Sequence, residues 1–127
     1  MIAADTSSWV AFFQGDKGPD VDLLDLALRD QQVVMPPVVL TELLSDPKIP
    51  PDVVTTLCEL PLLEVDEGYW RRAGELRAKV LESRRKARLG DALIAQSCLD
   101  RGIPLVTRDR DFKAFAAAAA LDILAGH

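Results

Sequence analysis

Short apolar runs, the first three bounded by an acid or a proline, alternate along this chain with stretches of helical periodicity, and that alternation limits the fold more than any other feature. Ile2-Ala3-Ala4 ends at Asp5, and Val33-Val34-Met35 stops at Pro36-Pro37. Leu62 to Val65, Ile103 to Thr107 and Leu121 to Leu124 complete the set. Runs of this kind read as short buried strands. Between them, Thr6-Ser7-Ser8 opens a helix whose apolar side is Trp9, Val10, Phe12 and Phe13; Trp9, Phe12 and Phe13, like Trp70 further on, are assigned to the core. Gly15 to Pro19 is turn material. Helical spacing then predicts helices over Val21 to Leu28, over Val38 to Leu44 from a start near Pro37, and over Val53 to Leu60. The longest runs from Glu67 to Arg85 and carries Trp70, Ala73, Leu76, Val80 and Leu81 on one stripe. Ala92 to Asp100 closes at Gly102, the residue type favoured just past a helix end. Asp109 to Phe115 begins a further turn or helix. Strands alternating with helices predict an α/β fold with a central, mostly parallel sheet. In such folds ligands sit beyond the carboxyl ends of the strands, which is where Asp5 and Asp109 fall.

At 127 residues the chain has the common size of one domain, roughly 100 to 150 residues, so residues 1–127 are read as a single unit. The net charge of −5 argues against a broad basic surface for holding nucleic acid, because that mode needs many Lys and Arg to replace condensed counterions. A polyanionic substrate would need local positive charge, such as a divalent cation. The opening Met1-Ile2-Ala3-Ala4 has no basic leader, and no apolar stretch approaches the roughly 20 residues that span a bilayer. A soluble, cytoplasmic chain is expected. Cys58 and Cys98 lack the spacing of a zinc site or a disulfide framework and read as reduced core thiols.

The sole histidine is His127, the last residue, expected to be frayed. Hydrolases built on Ser-His-Asp or Cys-His, zinc hydrolases and ribonucleases with a histidine pair all need a positioned imidazole. The glycines form neither a phosphate loop nor a dinucleotide fingerprint. What remains for an enzyme is carboxylate and metal chemistry.

Magnesium and manganese are hard ions that prefer oxygen ligands and are held by a few carboxylates from separate segments. Asp5 after the first strand, Glu42 inside a helix, Asp91 at a helix start and Asp109 after a late strand meet that description. Each acid also has a plainer reading. Asp5 and Asp91 are natural helix caps, Glu42 suits a solvent face, and either Asp109 or Asp111 could cap the turn that follows. No position carries the case alone.

The combination does. The strand running into Asp5-Thr6-Ser7, the segment Leu40-Thr41-Glu42-Leu43, the run Gly90-Asp91-Ala92-Leu93-Ile94-Ala95 and the stretch Gly102 to Phe112 together resemble a PIN-domain ribonuclease, and within that family the toxin subunit of VapBC toxin/antitoxin modules. The resemblance covers essentially the whole chain and is most specific from Gly90 to Phe112. It implies a three-layer sandwich of helices around a parallel sheet, and an endoribonuclease dependent on Mg2+ or Mn2+. The acidic quartet would be Asp5, Glu42, Asp91 and Asp109, with Asp5, Asp91 and Asp109 as metal ligands and Thr6, Thr107 and Asp111 in support. Many relatives carry Asn where Asp109 stands, which leaves the roles of Asp109 and Asp111 open. An RNA substrate, a cognate antitoxin and a homodimer are the implied partners.

Arg84, Arg85, Lys86 and Arg88 form a basic cluster just ahead of Asp91. It is either a solvated helix end set against the helix dipole or, at Arg84, Arg85 and Arg88, a surface that steers RNA phosphates or meets an acidic antitoxin segment. Aspartyl-phosphate phosphatases want a second Asp two positions after the first, where this chain has Ser7, and the acid pattern of a receiver domain is missing. The remaining alternatives are a PIN-like module that binds RNA or protein without cutting it, and a housekeeping RNA-processing nuclease.

Overall fold

The strand segments pair over only two residues each in this computed structural model, which describes residues 1–124. β1 (Ala3–Ala4), β2 (Leu105–Val106) and β3 (Ile123–Leu124) lie side by side in that order, all parallel, with Ala3 opposite Leu105 and Leu105 opposite Ile123. Two parallel bridges extend the ribbon past β1, from Ile2 to Val33 and from Met35 to Leu62. Ala3, Ala4, Leu105 and Val106 are wholly buried, as expected of a parallel sheet covered on both faces.

Among the described residues seven helices surround this ribbon: α1 (Thr6–Phe13), α2 (Pro19–Arg29), α3 (Pro37–Leu44), α4 (Pro51–Glu59), α5 (Tyr69–Glu82), α6 (Leu89–Arg101) and α7 (Phe112–Ala119). Proline occupies the first turn of α2, α3 and α4, where its missing N–H costs nothing. Gly102 ends α6 in the left-handed conformation, φ 62°. α5 packs on α6 and α7, α1 on α2 and α3, and α3 also on α4 and α6. Trp9, Leu24, Met35, Val39, Ile94, Phe112 and Phe115 fill the core. No helix among the described residues is long and apolar enough to cross a membrane.

The predicted α/β architecture is therefore found, with local corrections. Val33–Met35 and Leu62–Val65 contribute single bridges rather than strands; Leu62 and Val65 stand out to solvent and only Leu63 between them turns inward. α5 is shorter than predicted, starting after Gly68 and stopping at Glu82, because the Ser83 hydroxyl donates to the Val80 carbonyl at 2.7 Å and Arg84 turns to φ 62°. Its buried stripe is Tyr69, Ala73, Leu76 and Val80. Trp70, assigned to the core from sequence, is 66% exposed, and Leu81 is also out. The adjacent pairs Tyr69-Trp70 and Val80-Leu81 let either phase of the helix look apolar, and packing chose the other one. On α1, Trp9 is buried but Val10 and Phe13 are exposed at its edge. Cys98 is a core thiol, pushed by burial up to about 12, whereas Cys58 is exposed on α4 beside the buried Leu57. His127 lies outside the described residues.

Candidate active site

Asp5 is the residue at which β1 becomes α1. Its N–H donates to the Val106 carbonyl at 3.1 Å, the last rung of the ladder, and its carboxylate caps α1 by accepting the Ser8 N–H at 3.1 Å. The Ser7 hydroxyl lies 2.9 Å from both carboxylate oxygens. Cap and candidate ligand are thus the same side chain. Burial holds the Asp5 carboxyl above its ordinary 3.8, against the Ser8 N–H and the hydroxyls of Thr107 and Ser7, which favour the charged form; the neighbouring Asp109 adds to the rise.

β2 delivers the next pair. Thr107 is fully buried, and its hydroxyl accepts the Asp109 N–H at 2.9 Å. Asp109 Oδ1 in turn accepts the Asp111 N–H at 2.9 Å. Two consecutive side-chain turns of this kind fix the chain between the strand end and α7, so both acids are aimed rather than free.

Asp91 is not a helix cap, contrary to the plainer sequence reading: α6 begins at Leu89 after Arg88, and Asp91 is its third residue. Asp91, Asp109 and Asp111 offer carboxylate oxygens that all lie within 4.8 Å of one another. Asp91 carries an electrostatic cost from this crowding. Burial first, then Asp109, and further Asp5 and Asp111 raise its carboxyl to about 6, with Arg88 pulling the other way. Its Oδ2 is buried and finds no hydrogen-bond partner among the described residues.

Glu42, in the interior of α3, accepts the Thr6 hydroxyl at 2.6 Å. It also faces the start of α6: a Cβ on Gly90 would sit 3.5 Å from Glu42 Oε2. Asp5 and Glu42 stand outside the tight group of three but border it, Asp5 through its influence on Asp91 and Glu42 through Gly90. All five acids gather at the carboxyl edge of the sheet. Of the basic cluster, Lys86 reaches Asp111 at 3.4 Å and Arg88 lies close enough to stabilise charged Asp91. Arg84 and Arg85 are exposed.

Three clustered carboxylates, one with a buried unpartnered oxygen, repel one another unless protons or a cation intervene. Their chemistry fits a hard divalent ion, which takes oxygen ligands and tolerates water in its remaining positions.

A family model described as the PIN domain matches residues 2–118. The chain belongs to the PIN domain family. This PIN domain is 33% identical over 69 residues to "Ribonuclease VapC5" of Mycobacterium tuberculosis, a match that covers 54% of this chain and spans 51%, about half, of that curated relative. It superposes with a TM-score of 0.69 and 27% identity on a chain from the crystal structure of VapBC-5, a member of the VapBC family of toxin-antitoxin systems from the same organism, covering 97% of this chain and 96% of that one. A chain of VapBC2 from Rickettsia felis, solved with a DNA fragment of its promoter, shares the fold with a TM-score of 0.73 and 22% identity, over 100% of this chain and 99% of that one.

Sequence reasoning about this PIN domain did not reach Ser7, Ser8, Asp20 or Arg108. Ser7 and Ser8 look like generic helix-start residues. Asp20 follows Gly18-Pro19 and reads as turn filler, and its partner Arg108 lies 88 positions away, so no local pattern pairs them.

Proposed function

We propose that this chain is an endoribonuclease dependent on Mg2+ or Mn2+, acting in the cytoplasm as the toxin of a VapBC-type pair, with residues 1–127 forming one catalytic domain. The observation that carries the reading is the convergence of Asp91, Asp109 and Asp111 within 4.8 Å, with the buried, unpartnered oxygen of Asp91 and the carboxylate of Asp5 beside them.

In this reading Asp5, Asp91 and Asp109 hold the ion, and Asp111 shares the load. When bound, a divalent cation supplies a nucleophilic water at neutral pH and offsets charge on the phosphoryl oxygens. The chain's own residues do the positioning. Ser7, Ser8 and Thr107 favour the charged form of Asp5 against its burial. Thr107 and Asp109 pin the turn that presents Asp109 and Asp111. Thr6 orients Glu42, whose carboxylate is free to accept a proton from water at the rim. Lys86 and Arg88, with Arg84 and Arg85 further out, supply the positive charge that an acidic chain needs to bring a phosphate backbone to this edge.

An antitoxin partner is proposed because similar solved structures include members of the VapBC family of toxin-antitoxin systems. An apolar groove of about 280 Å³, lined by Val10, Phe13, Leu43, Ile49 and Val53, opens next to Thr6 and Glu42, and would give such a protein a footing against the active edge. A homodimer is part of the same proposal.

Purified protein is incubated with a panel of RNA oligonucleotides in Mg2+, then with EDTA, then with Mn2+ restored. Cleavage that vanishes with EDTA and returns with metal is expected. Intact RNA throughout, from folded protein, would refute the nuclease reading.

A further inference from the structure

Outside the acidic site, a polar construction built on a buried carboxylate surrounds Asp20. Its side chain, in the first turn of α2, is 3% exposed. Arg108 donates to it through two nitrogens, Nε to Oδ2 at 2.8 Å and Nη2 to Oδ1 at 3.0 Å, and the Ser8 hydroxyl donates to Oδ2 at 2.8 Å. Arg108 Nη2 also reaches the Lys17 carbonyl at 3.2 Å. Gly18 lies flat against the pair: a Cβ there would fall 2.7 Å from Asp20 Oδ1 and 3.0 Å from Arg108 Nη2. Burial alone would raise the Asp20 carboxyl, but the hydrogen bonds from Arg108 and Ser8 outweigh it and hold the group below 3.8.

Both partners of Asp20 are one link from the candidate ligands. Ser8 also caps with Asp5, through its N–H. Arg108 sits between Thr107 and Asp109, and Thr107 acts on both Asp5 and the Asp109 backbone. The bonds therefore close a ring, Asp5 to Ser8 to Asp20 to Arg108 and back along the chain to Val106, whose carbonyl accepts the Asp5 N–H at 3.1 Å. An ion pair with one end buried and the other, Arg108, 36% exposed adds little net stability compared with apolar filling, so its value here is geometric.

We propose that Asp20 and Arg108 are positioning residues that set the placement of Asp5 against Asp109, and through it the affinity of the site for a divalent cation. The inference rests on the metal-site reading above and adds a role for residues outside the acidic cluster. Groups that orient metal ligands from behind are typically worth about 10–100-fold in metal affinity.

The test uses the full chain and Mn2+ alone as probe, with free Mn2+ followed by electron paramagnetic resonance and folding by circular dichroism. Wild-type protein that takes up no Mn2+ overturns the metal reading and this inference with it. Given wild-type binding, Asp20→Asn is expected to weaken Mn2+ at least about tenfold at a temperature where the variant is folded. A variant that melts earlier but keeps the wild-type Kd makes the ring a purely structural brace and overturns the inference alone. Should Asp20→Asn not fold, Arg108→Lys keeps the charge but gives up the two-pronged geometry. Weaker Mn2+ binding in that variant supports the ring, and an unchanged Kd overturns it.

Discussion

The Thr6 hydroxyl donates a 2.6 Å hydrogen bond to Oε1 of Glu42, joining the first turn of α1 to the interior of α3 across 36 positions of sequence. Glu42 is exposed, so this bond contributes little to stability and much to aim. Thr6→Val should move Tm by an amount equivalent to about 0.5 kcal/mol or less, as for other surface changes. It should lower kcat by about tenfold, the scale of lost orientation behind a reacting group. A variant with wild-type kcat in a metal-supplied RNA cleavage assay would release Thr6 from any part in the site.

Asp5→Asn should leave the cap on α1 in place, since the amide oxygen still accepts the Ser8 N–H that Asp5 now takes at 3.1 Å. The charge is what it removes. Loss of several kcal/mol of metal-mediated stabilisation corresponds to about a thousandfold or more in kcat. Cleavage should vanish while the melting curve stays close to wild type, and retained cleavage would refute Asp5 as a ligand.

The Asp91 carboxyl, raised to about 6, gives metal-free protein a defined pH dependence. A folded-state value above the ordinary 3.8 means that the folded chain holds this proton more tightly than the unfolded one. That contribution to stability is complete below pH 3.8 and is lost as pH rises through about 6. Metal-free protein should therefore melt lower at pH 7.5 than at pH 5.5 through this group, and Mn2+ should raise Tm more at the higher pH. Asp91→Asn should raise the metal-free Tm at pH 7.5 and abolish most of the Mn2+ effect. Equal Mn2+ shifts at both pH values would count against Asp91 in the site.

Asp20 titrates with the opposite sign. Its carboxyl is held below 3.8 by Arg108 and Ser8, so the stability it contributes is present above pH 3.8 and fades as pH falls below it. Thermal melts of wild type and Asp20→Asn should converge as pH drops from 5 toward 2.5. A gap that stays constant over that range would contradict the assignment.

The basic loop before α6 reaches the acids only at Lys86, 3.4 Å from Asp111, and through the influence of Arg88 on Asp91. Charge reversal at Arg85 and Arg88 should weaken RNA binding and flatten the plot of log affinity against log salt, by about 0.7 for each single-strand phosphate that is no longer neutralised. An unchanged slope would leave the loop as a solvated helix end.

The order of short apolar runs and helical stretches by itself determined the class of fold and the edge on which Asp5 and Asp109 lie, because strand and helix periods are local and a parallel sheet leaves its carboxyl ends open for ligands. The same local chemistry named Asp5, Glu42, Asp91 and Asp109 as candidates and gave Gly102 its place past α6. The phase of α5 was not legible, since Tyr69-Trp70 and Val80-Leu81 offer two apolar stripes about 100° apart, and only packing against α6 and α7 buried one of them. Nor could sequence distinguish cap from ligand: Asp5 is a cap whose carboxylate also borders the acidic cluster, while Asp91 lies inside the first turn instead of before it. The convergence of Asp91 with both Asp109 and Asp111, and the ring through Ser8, Asp20 and Arg108, belong to tertiary structure alone. Such meetings depend on how β1, α2, α6 and the end of β2 are brought together, and residues 88 positions apart leave no periodic trace of them in the chain.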